Sequence, residues 1–463
     1  MPASNLASSS SPAEDRLTAQ TVEDCIAVLE KICADRTHLA DLAFEQVNRL
    51  MMAAGRASRP DRDAQRVLSR AVQRKEKRQV READRAVLAQ AGIRLKRLDP
   101  IYLTPPRPPQ LEAGGGAFQL GVAAAEGEPA PTVEETPELN VARSCYVCKV
   151  RCTRMHAFYD HMCGECGDFN FAKRSQTADL RGRVALITGA RVKIGYQAAI
   201  LLLRAGARVI LTTRFPRDAA VRYAREADFD DFKDRLQIYG LDLRHTPSVE
   251  RFAEILNQRE ARLDFVLHNA CQTVRRPSGF YGHLMQGELG PLTSVPEPAA
   301  RLLGDYESMR AGAARQLADG SSVERPAIGL QAAAALSQVA LAAEDLEGGA
   351  SLFPIGALDA DLQQVDKRGI NSWRLPLDEV GTVELLEVQL VNAIAPFLLN
   401  ARLKSLMLRE RTFDKHIVNV SAMEGQFYRR YKTDKHPHTN MAKAALNMMT
   451  RTSAADYYAG GIT

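Results

Sequence analysis

The segment Leu180–Gly195 constrains the fold more than any other part of the chain. It places an apolar strand, Val184–Thr188, before a glycine-containing turn and an amphipathic helix, Tyr196–Ala205. Such a unit brings backbone N–H groups and a helix N-terminus against a pyrophosphate. A second strand, Arg208–Thr213, and a later strand and turn, Leu263–Cys271, continue the β/α alternation. This order predicts an α/β fold with a Rossmann-type doubly wound parallel sheet.

Between Leu180 and Thr463 the chain contains, in order, TGARVKIG at residues 188–195, HNAC at 268–271, Asn392 in QLVNAIAPFLL and Lys443 in NMAKAALNMMT. With these motifs the segment from Leu180 to Thr463 resembles the short-chain dehydrogenase/reductase superfamily. The TGxxxGxG motif of that family matches residues 188–195, with Lys193 replacing the middle glycine, and its NNAG motif matches residues 268–271. Its structural asparagine matches Asn392 in QLVNAIAPFLL, and its active-site lysine matches Lys443 in NMAKAALNMMT. With the charge argument below, the resemblance implies cofactor contacts at Thr188, Gly189, Arg191, Ile194, Gly195, Arg214, Asp242, Leu243, Asn269, Ala270 and Lys443.

The choice of cofactor follows from charge at the end of the second strand. NAD-binding members of the family place an acidic residue there to hold the ribose 2′-OH. Here that position is Thr213, followed by Arg214, and Arg191 lies inside the glycine turn. Two guanidinium groups suit a 2′-phosphate, so NADP(H) is favoured over NAD(H). Two alternatives stay open: Lys193 crowds the phosphate path so that nothing binds, or its ammonium pairs with the pyrophosphate.

The catalytic tetrad of the family, Asn–Ser–Tyr–Lys, is incomplete in this sequence. In the family the serine hydrogen-bonds the substrate carbonyl, the tyrosine transfers the proton, and the nicotinamide carries the hydride. Alignment puts Ala422 at the serine position and Thr439 at the tyrosine position. Only Asn392 and Lys443 remain, and a threonine hydroxyl is far too weakly acidic to replace a phenol.

Two interpretations of the altered tetrad follow. In the first, which we favour, the protein is an oxidoreductase that interconverts a carbonyl/alcohol pair of unknown identity, and the segment FYRRYKTDKHPH supplies a relocated acid. The acid candidates are Tyr428, Tyr431, His436 and His438, and the expected catalytic set is Lys443, Asn392, Ser421 and Tyr428. In the second, hydride chemistry is lost and the domain is a non-catalytic NADP(H)-binding regulator or scaffold.

Two CxxC pairs precede this domain. Cys145 with Cys148 and Cys163 with Cys166 are separated by fourteen residues, and two such turns complete the tetrahedral sulfur shell that Zn²⁺ accepts. Clustered cysteines favour a metal site over disulfides inside a cell. The sequence therefore predicts a small zinc-ribbon-like module with a structural zinc. Spare ligands that keep a Cys3His shell open are Cys152, His156 and His161.

The N-terminal part is predicted to be helical and basic. Between Arg56 and Arg97, 14 Arg or Lys residues stand against five acidic residues. Such a stretch suits a nucleic acid or an acidic partner, but the interspersed acids favour a solvated charged face. The predicted organisation is 1–14 disordered, 15–100 a helical hairpin with a basic second helix, 101–144 a Pro/Gly/Glu-rich linker, 145–175 the cysteine module, and 180–463 the Rossmann-type domain.

A long insertion at about 276–376 separates the fourth strand from the helix that holds Asn392. It is placed to act as a lid or substrate pocket, or it is a partly ordered surface insert, and helices are expected at Ala299–Leu317 and Leu330–Leu346. The family continues with further strands beyond the helix of Lys443. We therefore expect either an incomplete sequence or a partner, such as a second copy or another protein, over the Ile417–Val420 edge.

Targeting signals are absent from the sequence as we interpret it. The longest apolar candidate, Ala327–Ala343, contains Gln331, Ser337 and Gln338 and falls short of the roughly 18–20 residues that span a bilayer. The N-terminus has no basic start followed by an apolar run, so it does not match a secretory signal. A cytoplasmic protein without a membrane partner, acting on a small molecule, is the expectation.

Overall fold

The computed structural model describes residues 17–96, 136–318, 327–346, 351–354, 356–359, 363–428 and 432–463. The predicted disorder of residues 1–14, most of the predicted linker and Tyr431 lie outside these ranges. The chain divides into two compact units, one formed by residues 1–87 and 139–141 and the other by the remainder.

The first unit is helical. Its helices are α1 (Ala19–Ala34), α2 (Phe44–Ser58) and most of α3 (Arg62–Ala89). Helices α1 and α2 are separate because Asp35 ends α1 and caps a short 3-10 turn. Neither α1 nor α2 buries a residue. The predicted hairpin stays a prediction.

The second unit begins with the short helix α4 (Gly92–Lys96) and the cysteine module. The module contains an antiparallel pair, β1 (Arg143–Ser144) and β2 (Arg151–Cys152), followed by α5 (Gly164–Ala172). The second CxxC pair lies at the start of a helix, so the module is a hairpin followed by a helix.

A five-stranded parallel sheet forms the main part of this unit. The strands are ordered β5-β4-β3-β6-β7, which confirms the predicted doubly wound sheet. Its first half consists of β3 (Val184–Thr188), α6 (Lys193–Arg204), β4 (Arg208–Thr213), α7 (Pro216–Tyr223), α8 (Phe229–Phe232), β5 (Leu236–Gly240), α9 (Thr246–Arg259) and β6 (Phe265–His268). The remainder consists of α10 (Gly282–Leu289), α11 (Glu297–Arg301), α12 (Gly304–Ala318), α13 (Ile328–Gln331), α14 (Ala333–Leu336), α15 (Thr382–Gln389), α16 (Ala395–Met407), β7 (His416–Asn419) and α17 (Pro437–Ala459).

The central strands read as continuous apolar runs because helices cover both faces of a parallel sheet. Every residue of β3 is buried, and Ile187 and Ile210 have no exposed surface. In register, Thr188 lies opposite Thr212 on one side and His268 on the other. The carboxyl ends of β3, β4 and β6 therefore meet at one edge of the sheet, where open α/β folds bind ligands.

The segment Thr382–Met407 forms a helix that is long enough and apolar enough to cross a membrane, judged by length and composition alone. The mean hydropathy of its most apolar window is 1.5. The expectation that Ala327–Ala343 is the longest apolar candidate is therefore wrong. Leu399 and Leu403 have no exposed surface and belong to the same core as the sheet. Its apolar character is thus also what the core helix of an α/β domain requires.

The insertion takes part in the core. Helices α11 and α12 lie where Ala299–Leu317 was expected, whereas Leu330–Leu346 is not one helix. Ala332 has φ −136°, which breaks that segment into α13 and α14. Leu330 is 1% exposed and belongs to the cluster that contains the sheet. The described parts of the insertion are therefore packed into the domain.

Candidate functional site

The turn after β3 has the close backbone approach that a nucleotide-binding loop needs. Gly189 has φ +68°, and a Cβ there would lie 2.7 Å from Ala270 Cα. A Cβ on Gly195 would lie 2.4 Å from Asn269 Nδ2. Lys193, which stands where the family has a glycine, also adopts the left-handed conformation, with φ 57°. This backbone costs a non-glycine residue roughly 1 kcal/mol.

The end of β6 is hydrogen-bonded to this turn. Asn269 Nδ2 donates to Gly189 O at 2.9 Å, and Ala270 N donates to Thr188 Oγ1 at 3.2 Å. His268, where the family has asparagine, is 2% exposed, and its Nε2 lies 2.7 Å from Asn400 Oδ1. Burial lowers the pKa of His268 to about 4 against the opposing effect of Asn400, so the imidazole is neutral at pH 7.

A cavity of about 390 Å³ opens beside this turn. The predicted cofactor residues that line it are Gly189, Arg191, Ile194, Arg214, Asp242, Leu243, Asn269 and Ala270. Thr188 and Gly195 instead shape the turn through the contacts above. The sequence did not single out several other lining residues, namely Arg244, Arg276, Phe280, Tyr281, Gln363 and Glu387.

Two arginines predicted to hold a 2′-phosphate are fixed in different ways. Arg191 is 8% exposed and donates to Asp218 Oδ2 at 2.7 Å. Burial lowers the pKa of Arg191 and Asp218 opposes the shift, so a neighbouring carboxylate already balances this charge. Arg214 donates to the hydroxyl of Tyr281 at 2.6 Å and lies 4.7 Å over its ring. Arg214 is therefore the better placed of the two to meet an added anion.

Asp242, implied by the resemblance to contact the adenine, is fully buried. Burial raises the pKa of its carboxyl group, but hydrogen bonds from Arg244 outweigh that effect and lower it overall. Arg244 donates to both carboxylate oxygens, at 3.0 and 2.6 Å, and to Glu387 at 2.7 Å. Both carboxylate oxygens therefore already have a cationic partner.

Asn392 lies in a π-helical turn, Leu390–Ile394, between α15 and α16. Its Oδ1 accepts from Gln272 N at 2.7 Å, and its Nδ2 donates to Gln272 O at 2.9 Å. Single π turns inside helices are frequent at functional sites. Asn392 thus joins the long apolar helix to the loop after β6.

The predicted catalytic residues on β7 and α17 separate into two groups. Lys443 is 3% exposed, and its Nζ donates to Val420 O at 2.6 Å, which brings α17 to the end of β7. Ser421 Oγ and Thr439 Oγ1 are buried without a hydrogen-bond partner in the described part of the chain. Tyr428, by contrast, is 98% exposed, so the structure leaves its side chain in solvent.

His438 stands next to Thr439 and is also buried. Neither ring nitrogen has a hydrogen-bond partner among the described residues, although Nε2 lies 3.7 Å from Glu384 Oε1. Burial raises the pKa of Glu384, but His438 and Ser372 outweigh this effect and lower it overall. The ring of His436 instead stacks on Trp373 at 3.9 Å. We refer to Ser421, His438 and Thr439 as the unpaired trio.

The four cysteines predicted to bind metal converge. Their sulfur atoms all lie within 4.8 Å of one another, and the Cys148 and Cys163 sulfurs are 3.7 Å apart. A tetrahedral ion with Zn–S bonds of about 2.3 Å needs sulfurs about 3.8 Å apart, so the cluster fits such an ion. Lys149 has φ 66° immediately after the first pair, and Cys163 is the N-cap residue of α5.

The spare ligands near this cluster have other roles. His156 Nδ1 accepts from the backbone N–H groups of Phe158 and Tyr159, and its Nε2 lies 3.2 Å from Asp168. His161 Nδ1 lies 2.6 Å from Asp160. The structure therefore favours the four-cysteine set over a Cys3His shell.

Comparison with known proteins identifies the part of the chain that contains the glycine turn and β3 to β6. Residues 183–281 match the family described as short chain dehydrogenase. The chain carries a short-chain dehydrogenase segment. Uncharacterized protein R665 of Acanthamoeba polyphaga mimivirus is 31% identical over 323 residues, which cover 67% of this chain and 59% of that protein. Dehydrogenase/reductase SDR family member 13 of Bos taurus is 38% identical over 104 residues, which cover 22% of this chain and 27% of that protein.

The short-chain dehydrogenase segment has more distant matches too. Retinol dehydrogenase 12 of Bos taurus is 34% identical over 117 residues, which cover 24% of this chain and 36% of that protein. The chain thus spans about three fifths or less of these relatives. The solved Pseudomonas aeruginosa RhlG/NADP active-site complex aligns over 62% of this chain and 71% of that chain, at 17% identity and a TM-score of 0.36.

Proposed function

We propose that the domain that carries the short-chain dehydrogenase segment binds NADP(H) and interconverts a carbonyl/alcohol pair of a small molecule. The observation that carries the proposal is the cavity, which joins the glycine turn at Gly189 to the cationic end of β4 at Arg214. When bound, the cofactor supplies or accepts a hydride.

The chain's own groups would hold the cofactor at two places. The N-terminus of α6 and the backbone N–H groups of the glycine turn suit a pyrophosphate. Arg214, held by the Tyr281 hydroxyl, would face the 2′-phosphate, because a guanidinium fork binds phosphate in a bidentate manner. Thr213 at the end of β4 offers no carboxylate to a ribose 2′-OH.

Fluorescence titration of full-length protein with NADPH and NADH tests the cofactor assignment. We expect Arg214→Gln to weaken NADPH binding about tenfold or more and to change NADH binding little, since charge-assisted hydrogen bonds are lost only with the phosphate. Lys233→Gln, an ion-paired surface residue of the same domain, is the matched control. Absence of NADPH binding at millimolar concentration would rule out the proposal.

For the proton transfer we propose His438, with Ser421 orienting the carbonyl. His438 is buried on the same helix as Lys443 and lies close to Glu384, whereas Tyr428 is exposed. A carboxylate beside an imidazole orients the ring, which suits a group that transfers a proton. Lys443, as a buried cation bound to Val420 O, would hold the end of β7 in place.

Turnover of a panel of aldehydes and ketones with NADPH tests this role. We expect His438→Gln to lower kcat at least about a hundredfold, in line with general-acid contributions. Tyr428→Phe should stay within about twofold, because an exposed phenol makes no buried contact. The opposite ranking of the two variants would transfer the role to Tyr428.

A second candidate function is favoured by Ala422 and Thr439, which replace the catalytic serine and tyrosine. It is a non-catalytic NADP(H)-binding regulator or scaffold. NADPH binding without turnover of any carbonyl in the panel, together with unchanged NADPH affinity in His438→Gln, would select it.

We also propose that Cys145, Cys148, Cys163 and Cys166 bind a structural Zn²⁺. Thiolates in a tetrahedral set suit zinc, and a reducing, cytoplasmic location would keep them free of disulfides, as all eight cysteines are in the structure. Metal analysis of full-length protein should give one zinc per chain, lost in Cys145→Ser/Cys163→Ser and kept in the control Cys25→Ser/Cys33→Ser. Unchanged thermal stability after chelation would contradict a structural role.

A further inference from the structure

Helix α3 presents a strongly basic surface that the proposed oxidoreductase activity does not use. Its 28 residues, Arg62–Ala89, include nine Arg or Lys residues and four Asp or Glu residues. Every residue from 62 to 78 is exposed. The surplus of positive charge is therefore open to solvent along most of the helix.

The helix gathers this charge on one side. At about 100° per residue, eight of the nine basic residues fall within about 160° of the circumference, and Lys75 lies outside it. Five arginines, from Arg62 to Arg78, follow one another at four-residue intervals, about 6 Å apart along the axis. The part of this sector without an acidic residue runs from Arg66 to Arg81 and is about 22 Å long. We call it the basic strip, and its members are Arg66, Arg70, Arg74, Lys77, Arg78 and Arg81.

The acidic residues of this region do not interrupt the basic strip. At about 100° per residue, Glu76 and Glu82 lie outside the sector of the helix circumference that the basic strip occupies. Asp84 is 8% exposed, and its carboxylate accepts from Asn140 N at 2.7 Å and Val141 N at 3.2 Å. The helix therefore separates charges that the sequence intermixes, which removes the main reason for expecting only a solvated face.

The ion pairs along the strip are weak. Arg66 lies 3.6 Å from Asp63, and Arg78 lies 3.7 Å from Glu82, with all four side chains about 70–90% exposed. Pairs this exposed contribute little and are screened by salt. Their arginines can therefore exchange these partners for a phosphate.

We propose that the basic strip binds the phosphate backbone of a nucleic-acid duplex. Arginine forks match phosphate oxygens in a bidentate manner. With phosphates about 3.4 Å apart per strand along a duplex axis, a strip of this length faces about six of them on one strand. A regular row of cations thus complements a regular row of anions, a match that an irregular acidic protein surface does not offer.

Two related polyanions fit the strip less well. A membrane-surface helix needs an apolar face rich in Trp, Phe or Leu, whereas α3 contains no aromatic residue and its opposite side holds the isolated Leu68 and Val72. Binding of single strands depends on aromatic side chains for base stacking, which α3 does not supply. Gln65, Ser69 and Gln73 beside the strip are neutral groups that can donate hydrogen bonds to phosphate oxygens.

Fluorescence anisotropy of full-length protein tests this proposal. The probes are labelled DNA and RNA duplexes of about 24 base pairs and the matching single strands, between about 50 and 300 mM KCl. The variant is Arg66→Gln/Arg70→Gln/Arg74→Gln, which keeps good helix formers. The control, Arg225→Gln/Arg301→Gln/Arg411→Gln, removes the same charge from exposed positions in the other unit.

We expect the strip variant to bind either duplex at least about thirtyfold more weakly, with a log–log salt slope smaller by about 3, since each phosphate contributes about 0.9 on DNA. The control should stay within about threefold. Equal weakening by both variants, an unchanged slope, or tighter binding to single strands or to phosphatidylserine vesicles would overturn the proposal. NADPH affinity, which belongs to the other unit, should be the same in all three proteins.

A folding defect would not decide the matter, so circular dichroism accompanies each titration. If the triple variant loses helix, the single variant Arg70→Gln replaces it, with an expected fall in slope of about 1. A slope equal to that of the wild type in a folded Arg70→Gln protein would count against the strip.

Discussion

The carboxyl edge of the sheet has two halves that differ in how their polar groups are paired. At β3 and β6, Asn269 bonds to Gly189 O and Thr188 bonds to Ala270 N. At β7 and α17, the unpaired trio remains without hydrogen-bond partners among the described residues. Buried polar groups without partners lower stability and are rare outside functional sites. The half at β3 and β6 forms a backbone-shaped turn in which His268 Nδ1 is the unpartnered group, whereas the half at β7 and α17 buries the whole trio without partners.

The first prediction disrupts the turn at β3 and β6. Gly195→Ala should weaken NADPH binding at least a hundredfold and lower the free energy of unfolding by about 3 kcal/mol, because the new Cβ would lie 2.4 Å from Asn269 Nδ2. Isothermal titration and urea unfolding give the two values. Gly287→Ala, a helical glycine with nothing within 4 Å of its added Cβ, is the control: it should leave NADPH affinity unchanged and raise the free energy of unfolding by up to about 1 kcal/mol. Normal NADPH affinity in Gly195→Ala would show that the turn is not the binding loop.

The second prediction concerns His268 and pH. Because burial lowers the pKa of the folded state to about 4 from 6.5, the unfolded chain binds the proton first as pH falls. This contribution to stability is present above about pH 6.5, declines as pH falls toward 4, and amounts to roughly 3 kcal/mol in total. His268→Asn, the family residue, lacks this titration. Urea unfolding at pH 7 and pH 4.5 should therefore show a smaller difference for the variant, and equal differences would contradict the assignment.

The third prediction compares the two halves directly with one type of substitution. Thr439→Val removes a buried hydroxyl that has no partner, so it should raise the free energy of unfolding by about 1 kcal/mol. Thr188→Val removes the acceptor of Ala270 N and should lower it by about 1–2 kcal/mol. Thermal unfolding measures both. If both substitutions changed the free energy of unfolding in the same direction, the hydroxyl groups of Thr439 and Thr188 would not differ in hydrogen bonding as the structure indicates.

The smallest effect is expected at Lys193. With φ 57°, its backbone is one that glycine adopts without strain, so Lys193→Gly should stabilise the fold by up to about 1 kcal/mol after the entropy of the added glycine is counted. Lys233→Gly, in a right-handed conformation, should instead destabilise it by a similar amount. Differential scanning calorimetry separates the two. A fall in NADPH affinity in Lys193→Gly alone would assign the ammonium to the pyrophosphate.

Local pattern was enough to predict the strands of the first half. β3 and β4 have the expected bounds because each is an apolar run that ends at a turn residue. The prediction of one helix at Leu330–Leu346 was wrong because it also depended on local pattern alone. Alanine favours helix at every position, so the sequence did not show that Ala332 breaks it.

Contacts between distant residues could not be predicted in this way. Arg244 and Glu387 are 143 residues apart in the chain, and Arg214 and Tyr281 are 67 apart. The first contact depends on the position of α15 and the second on the insertion. No short sequence motif indicates either position. A helix that holds Asn392 was expected, but the apolar length of Thr382–Met407 was not, because Glu384, Gln389 and Asn392 interrupt its apolar residues. These three side chains bond to neighbouring segments of the chain.

The same long-range packing has a consequence for synthesis of the protein. The core that contains Ile187 also contains Leu330 and Leu399, which are translated much later. At about 5–20 residues per second, roughly 10–40 s pass between the two ends of that core leaving the ribosome. During this interval β3 and β4 lack the residues that cover them. The domain therefore cannot complete its core until the insertion and α16 have been synthesised.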